Sequence, residues 1–286
     1  MRKHAKKIIM VSLLLPISFI FLIFNSPATD LTKVCYFDVG QGDAAMISKG
    51  DFQILIDGGP DAKVLEKLPK MMALEDRKID LIILPHPHAD HIVGINEVLA
   101  RYTVGQVYGT GVVAESDQYL KFLNSLKDKN LSLSVPQIDS TIEVPPGQIR
   151  FLYPGGEYVK QKIDNLNNSS LVLDFCAQEN CFLLTGDIEA DRQSDLLPNL
   201  SKESVVKVAH HGSKNAYLSS VYDKANPEFA VISDGLNNQF GHPNQETLDG
   251  LNQHNIQISR TDQDGDICFE IDKAGKLSRS KLGNSL

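Results

Sequence analysis

The 286-residue chain predicts an α+β fold in which two β-sheets pack face to face with helices on their outer sides. Three observations lead there. Short apolar strands separated by turn residues come in two blocks, helical patterns follow each block, and no periodic repeat runs through the chain. The hydrophobic content of 42% and charged content of 22% suit a folded protein able to bury a large core.

In the first block, Val34 to Phe37, Ala44 to Ser48 and Phe52 to Ile56 read as strands, with Lys49-Gly50-Asp51 as a hairpin turn. Ala62 to Ala73 has helical period and leads into a buried strand, Ile79 to Leu84. Ile92 to Arg101 reads as helix and Val104 to Tyr108 as strand. Ser116 to Lys129 reads as an amphipathic helix that buries Tyr119, Leu120, Leu123 and Leu126. The second block holds Thr141 to Val144, Ile149 to Tyr153, Leu171 to Phe175, Cys181 to Thr185 and Val205 to Ala209. One catalytic domain is expected over 31–275, with 276–286 as a flexible tail.

Residues 1–30 form a signal peptide or N-terminal membrane anchor in this reading. Arg2, Lys3, Lys6 and Lys7 precede an apolar run from Ile8 to Phe24 interrupted only by Ser12, Pro16 and Ser18. The domain is thereby expected outside the cytoplasm, tethered to the membrane, or secreted if the segment is cleaved. Cys35, Cys176, Cys181 and Cys268 lack the close pairs of a structural zinc site. In an exported protein Cys176 can pair with Cys181 across a turn, and Cys35 with Cys268 if the terminal strands are neighbours. A net charge of −8 disfavours a broad basic surface for nucleic acid but leaves room for phosphate contacts made through cations.

The chemistry concentrates in His86-Pro87-His88-Ala89-Asp90-His91, at the end of the buried strand. His86 and His88, two apart on extended chain, project to the same side and can reach one ion. Asp90 and His91 lie close enough to bind a second. Two ions roughly 3.5–4 Å apart hold an activated hydroxide and clamp both oxygens of a displaced ester. Two later strands also end in ligand-type residues, Thr185-Gly186-Asp187 and His210-His211-Gly212-Ser213.

His86-x-His88-x-Asp90-His91 resembles the HxHxDH signature of the metallo-beta-lactamase superfamily. That resemblance implies a four-layer αββα sandwich, Asp187 as the bridging carboxylate, and a late histidine on the second ion. His210 comes first off its strand and is favoured for that role over His211, which then touches substrate. Asp38 to Asp43, Asn167 to Leu173, Gly241-His242-Pro243 and Arg260-Thr261-Asp262, taken with the motifs above, are together similar to the extracellular hydrolase domain of ComEC/Rec2 competence proteins. In that family an asparagine replaces a ligating histidine, which makes Asn168 the candidate weak ligand.

The metal set expected on this basis is His86, His88, Asp90, His91, Asn168, Asp187 and His210, holding two divalent ions, Zn2+ or Mn2+. Asp90, His211 and His242 are the candidate catalytic residues, His242 as acid for the leaving oxygen or as a phosphate contact. Asp57, at a strand end before paired glycines, is expected to hold a ligating histidine from behind. The implied activity is hydrolysis of a phosphodiester, with DNA as the first substrate. Hydrolysis of a smaller wall, lipid or nucleotide phosphoester, or an inactive membrane-tethered binding protein, are the alternatives. No protein partner is implied. The chain carries neither the many spans of the competence channel nor its oligonucleotide-binding module, so translocation is not implied.

Overall fold

Both strand blocks form sheets in the computed structural model, which describes residues 31–73 and 75–282. The first sheet takes β1 (Thr32–Tyr36), β2 (Ala45–Lys49), β3 (Phe52–Ile56), β4 (Lys78–Leu84), β5 (Thr103–Gly109) and β6 (Leu133–Ser134) from the first half. It then adds β14 (Ile267–Ile271) and β15 (Leu277–Ser280), in the order β15-β14-β1-β2-β3-β4-β5-β6. The second contains β7 (Thr141–Val144), β8 (Gly147–Tyr153), β9 (Val172–Ala177), β10 (Asn180–Leu184), β11 (Val205–Lys207), β12 (Phe229–Ile232) and β13 (Gln257–Arg260), in the order β13-β12-β11-β10-β9-β8-β7. Each sheet is antiparallel on one side and parallel on the other. β3 to β6 run parallel, as do β10 to β13.

Strand alternation explains the layers. Ile54, Ile56, Leu81 and Ile83 of the first sheet meet Leu173, Phe175, Phe182 and Leu184 of the second in a shared inner core. The intervening Leu55 and Ile82 turn outward beneath the helices Ala89–Arg101 and Asp117–Asp128. Leu183 and Val206 turn outward on the second sheet, where helices Ser219–Ala225 and Gln245–Gln253 cover them. Burial on both faces is why the second half of β4, Leu81 to Leu84, reads as an unbroken apolar run rather than an alternating one. The result is the αββα sandwich expected from the sequence.

Several expectations need correction. Ala62 to Ala73 is one α-turn, Val64–Lys67, followed by a 3-10 turn, Leu68–Lys70. Pro69 lacks the N–H that would continue the helix. In Asp117–Asp128 the buried face is Tyr119, Phe122 and Leu126, and Leu120 and Leu123 flank it in solvent. The tail expected from residue 276 instead pairs as β15 with β14, and Arg279 meets Asp264 at 3.0 Å. Its polar sequence, with two serines and an arginine, hides a strand whose outer side is solvated. Residues 1–30 lie outside the described structure. Among the described residues no helix is long and apolar enough to cross a membrane.

Both cysteine pairs form. Cys35 and Cys268 stand directly opposite on β1 and β14, and Cys176 and Cys181 on β9 and β10. The helix carrying His91 is set by a close backbone approach. Gly94 donates to the Gly59 carbonyl at 3.0 Å, and Gly58 donates to the His91 carbonyl at 2.8 Å. A Cβ on Gly94 would fall 1.8 Å from the Gly58 oxygen, so only glycine lets this helix lie against the β3 turn.

Two outcomes follow. Gly94→Ala should destabilise the protein by about 1–3 kcal/mol in urea unfolding through overpacking, and displacement of His91 should weaken cation binding in the same variant. Replacing Cys35 and Cys268 with serine should lower unfolding free energy by about 2–5 kcal/mol, because the bridge closes a long loop. The Cys176/Cys181 double serine variant should lose less, its bridge joining residues only 5 apart.

Candidate metal centre

The carboxyl ends of the parallel strands converge. β3 delivers Asp57, β4 the segment His86 to His91, β10 Asp187, and β11 the segment Lys207 to His211. The β1–β2 connection adds Asp43. In open α/β sheets this end is where side chains are freed from strand pairing to face a ligand.

Asp187 is the hub, and its two oxygens have different surroundings. Oδ2 lies 3.2 Å from His91 Nε2, 3.4 Å from His211 Nε2 and 3.9 Å from His86 Nε2. Oδ1 faces Lys207 Nζ at 3.4 Å. Lys207 also donates to the Gly186 carbonyl at 2.9 Å and pairs with Asp43. His86 Nε2 and His88 Nδ1 are 3.1 Å apart, and His211 Nε2 lies 3.3 Å from Asp90 Oδ2. Ligand atoms arranged tetrahedrally around an ion at about 2.0–2.1 Å stand roughly 3.3–3.4 Å from one another. These nitrogens and oxygens therefore already have the spacing of atoms that share a cation.

Three of the four imidazoles, those of His86, His91 and His211, are oriented from the far side. His91 Nδ1 faces Asp57 Oδ1 at 3.1 Å, His86 Nδ1 faces Ser170 Oγ at 3.3 Å, and His211 Nδ1 donates to the Ser233 carbonyl at 2.8 Å. Such outer partners fix the tautomer that leaves the other nitrogen free to ligate. Ser170 Oγ also accepts from the Asp187 N–H at 3.0 Å, so one hydroxyl positions two members of the site.

Electrostatics agrees with a cation centre. Burial pulls His91 down, but the carboxylates of Asp187, Asp57 and Asp90 outweigh it and hold the ring well above its usual value. His211 is likewise pushed up to about 10 by Asp187 and Asp43 against the effect of burial. His86, buried beside His91, is driven well below. Burial raises Asp57 to about 7 despite His91. Asp43 is buried with its carboxylate against Lys207, and His211 Nδ1 lies 3.6 Å from its Oδ1. Asp43, His91, Asp187 and His211 offer ligand atoms all within 4.8 Å of one another. Imidazoles and buried carboxylates aimed at one point fit a divalent cation.

The sequence expectations divide clearly. His86, His88, Asp90, His91 and Asp187 come together. His210 does not join them, since its Nδ1 faces Glu189 at 3.7 Å while His211 occupies the centre. Both histidines have positive φ, +50° and +55°, so the chain reverses after β11 and the second ring, not the first, swings inward. Asn168 also points away. Its amide donates to Asp191 at 3.1 Å and its oxygen accepts from the Glu189 N–H at 3.0 Å. Asn167 is the buried one, and its amide donates to Glu189 Oε1 at 3.2 Å. Asp57 stands behind His91 as expected. Asp43 and Lys207 were not assigned a role by the sequence reading. The run Asp38 to Asp43 signalled the first only as part of a motif, and a lysine at the end of a buried strand was the available signal for the second. His242 lies at the rim, its ring 6.4 Å from His211 and 5.6 Å from His210. Burial and those two imidazoles push it down to about 4, so at neutral pH it is an uncharged hydrogen-bonding group.

This geometry makes an asymmetric forecast for the adjacent histidines. In competition against a chromogenic chelator, His211→Ala should weaken Zn2+ or Mn2+ binding by about tenfold or more, whereas His210→Ala should stay near wild type. The reverse order would refute the placement of the two rings.

The metallo-beta-lactamase superfamily profile matches residues 37–233. The chain is 30% identical over 274 residues to ComE operon protein 3 of Bacillus subtilis, covering 87% of this chain and 34% of that protein. It is 26% identical over 247 residues to Competence protein ComA of Neisseria gonorrhoeae, covering 85% of this chain and 33% of that protein. With Recombination protein 2 of Haemophilus influenzae it shares 26% identity over 255 residues, covering 87% of this chain and 30% of that protein. The chain thus spans about a third of the length of these curated relatives. Among solved structures, the metallo-beta-lactamase fold protein YhfI from Bacillus subtilis has a TM-score of 0.53 at 13% identity, over 80% of this chain and 96% of that one. Igni18, a metallo hydrolase from Ignicoccus hospitalis, has a TM-score of 0.51 at 16% identity, over 84% of this chain and 98% of that one. Since every residue from Asp43 to His211 that builds the centre falls inside the matched span, the chain belongs to the metallo-beta-lactamase superfamily.

Proposed function

We propose that this protein hydrolyses phosphodiesters, DNA first among them, at a centre of two divalent cations outside the cytoplasmic membrane. The observation that carries the reading is the position of Asp187 Oδ2, shared by two groups of ligand atoms. His86 and His88 would hold one cation with it, and Asp90, His91 and His211 the other. Similarity over most of the chain to proteins named for competence and recombination supports nucleic acid as substrate. The basic, then apolar N-terminal sequence and two disulfides support an oxidising, extracytoplasmic location.

Bound cations supply Lewis acidity toward the phosphoryl oxygens and a water acidic enough to ionise near neutral pH. The chain's own groups organise that chemistry. Lys207 neutralises Asp43 and holds Asp187 Oδ1, which keeps Oδ2 turned toward the imidazoles. Asp57, Ser170 and the Ser233 carbonyl hold the three rings. His242, neutral and at the rim, is placed to hydrogen-bond a phosphate or leaving oxygen. Nitrogen donors favour Zn2+, and the carboxylates shift the preference toward Mn2+. The net charge of −8 favours a second reading, a smaller phosphoester that needs no basic track.

Protein purified without chelator should contain close to two equivalents of zinc or manganese and cleave single-stranded DNA. Chelation should abolish the activity and readdition of metal restore it. His88→Ala and Asp187→Ala should each lower kcat/KM beyond the roughly 10–100-fold loss typical of an outer-sphere partner. Cleavage of a small chromogenic diester without cleavage of DNA would select the second reading. Residual hydrolysis unchanged by both substitutions would refute an active centre here.

A further inference from the structure

The loop between β12 and the helix Gln245–Gln253 exposes two large apolar side chains beside a polar centre. Phe240 is 57% exposed and Leu236 73% exposed. Phe240 is not a stray surface residue, because its ring begins a file of near-parallel rings. It stands 5.9 Å from His242 at an interplanar angle of 25°, and His242 stands 6.4 Å from His211 at 29°. His211 is buried among the ligands, so the file runs from solvent to the centre.

Hydrogen bonds within the chain hold the loop in this shape. Asn238 Oδ1 accepts from the N–H groups of Phe240 at 3.2 Å and His242 at 3.0 Å, and its amide donates to the carbonyls of Gly235 and His242. Both ends are tied to loops of the centre. Gly235 donates to Gln41 Oε1 at 3.2 Å, and Asn244 donates to the Gly212 carbonyl at 2.9 Å. An exposed ring with its orientation already fixed loses little freedom when a flat partner stacks on it.

We propose that Phe240 is a stacking platform for a nucleobase of the substrate next to the scissile phosphate. The assignment rests on the phosphodiesterase reading and narrows it to substrates that carry bases. Stacking suits this protein because it is indifferent to sequence and does not depend on net positive charge, the chain carrying −8. The segment from Asp234 to Asn244 contains no lysine or arginine, which favours a base over an anionic lipid surface as the occupant.

The test uses fluorescence anisotropy with phosphorothioate-linked oligothymidylate and an abasic oligomer of the same length, on metal-loaded protein. Wild type should bind the base-bearing oligomer about tenfold more tightly. Phe240→Ala should erase that preference and leave affinity for the abasic oligomer unchanged, while Phe240→Trp should keep it. Equal wild-type affinity for the two oligomers, or equal weakening of both by Phe240→Ala, overturns the platform. So does loss of binding to phosphatidylcholine vesicles in Phe240→Ala without any base preference in wild type, which would make the loop a membrane contact. Cleavage of unmodified DNA, followed in parallel, separates the two claims. Base-dependent binding without cleavage would keep the platform and remove the hydrolytic reading, and cleavage without base preference would do the opposite.

Discussion

Carboxylates packed out of water are the constraint on which this structure turns. Asp43, Asp57 and Asp187 are buried, and Asp90 stands at the edge with only part of its side chain in solvent. Unpaired buried charge is expensive, and the penalty is met only by opposite charge at close range with hydrogen bonds to the remaining lone pairs. Within the chain the nearby cation is Lys207, and the carboxylates favour the protonated form of His91 and His211. A divalent ion held by the same imidazoles and carboxylates would displace those protons, because histidine ligates as the neutral ring.

Bringing such groups together requires a scaffold that can tolerate their repulsion. The sandwich provides it by ending several parallel strands at one edge, each anchored through a fully buried run on both sheet faces. The backbone contact between Gly58 and Gly94 ties the turn that carries Asp57 to the helix that carries His91. The ligands are therefore as rigid as the strands behind them, and such rigidity favours tight geometric selection of an ion.

Much of this was legible in the amino-acid order, for reasons that also show where legibility stops. His86 to His91 could be read because its ligands are contiguous, and Asp187 because a glycine follows a clear apolar strand. His210 and His211 could not be told apart, since distance along the chain does not report a left-handed reversal at two consecutive non-glycine residues. The same holds for Asn167 and Asn168, adjacent in a 3-10 turn that sends their side chains in different directions. Strands with apolar faces were found from their alternation, but β15 was missed because its partner strand, not its own composition, makes it a strand. Leu120 and Leu123 fit a helical stripe on paper; the packed stripe is rotated by Phe122. Local pattern identifies elements and types of chemistry, whereas side-chain direction at turns belongs to tertiary structure.

The register of β1 against β14 has a further consequence. Thr32, at the start of the first strand, lies directly opposite Ile271 at the end of the fourteenth, and the Cys35–Cys268 bridge locks that pairing. The opening strand is thereby stapled to the β14–β15 hairpin that closes the sheet, so fraying at one end of the domain has to break pairing with the other.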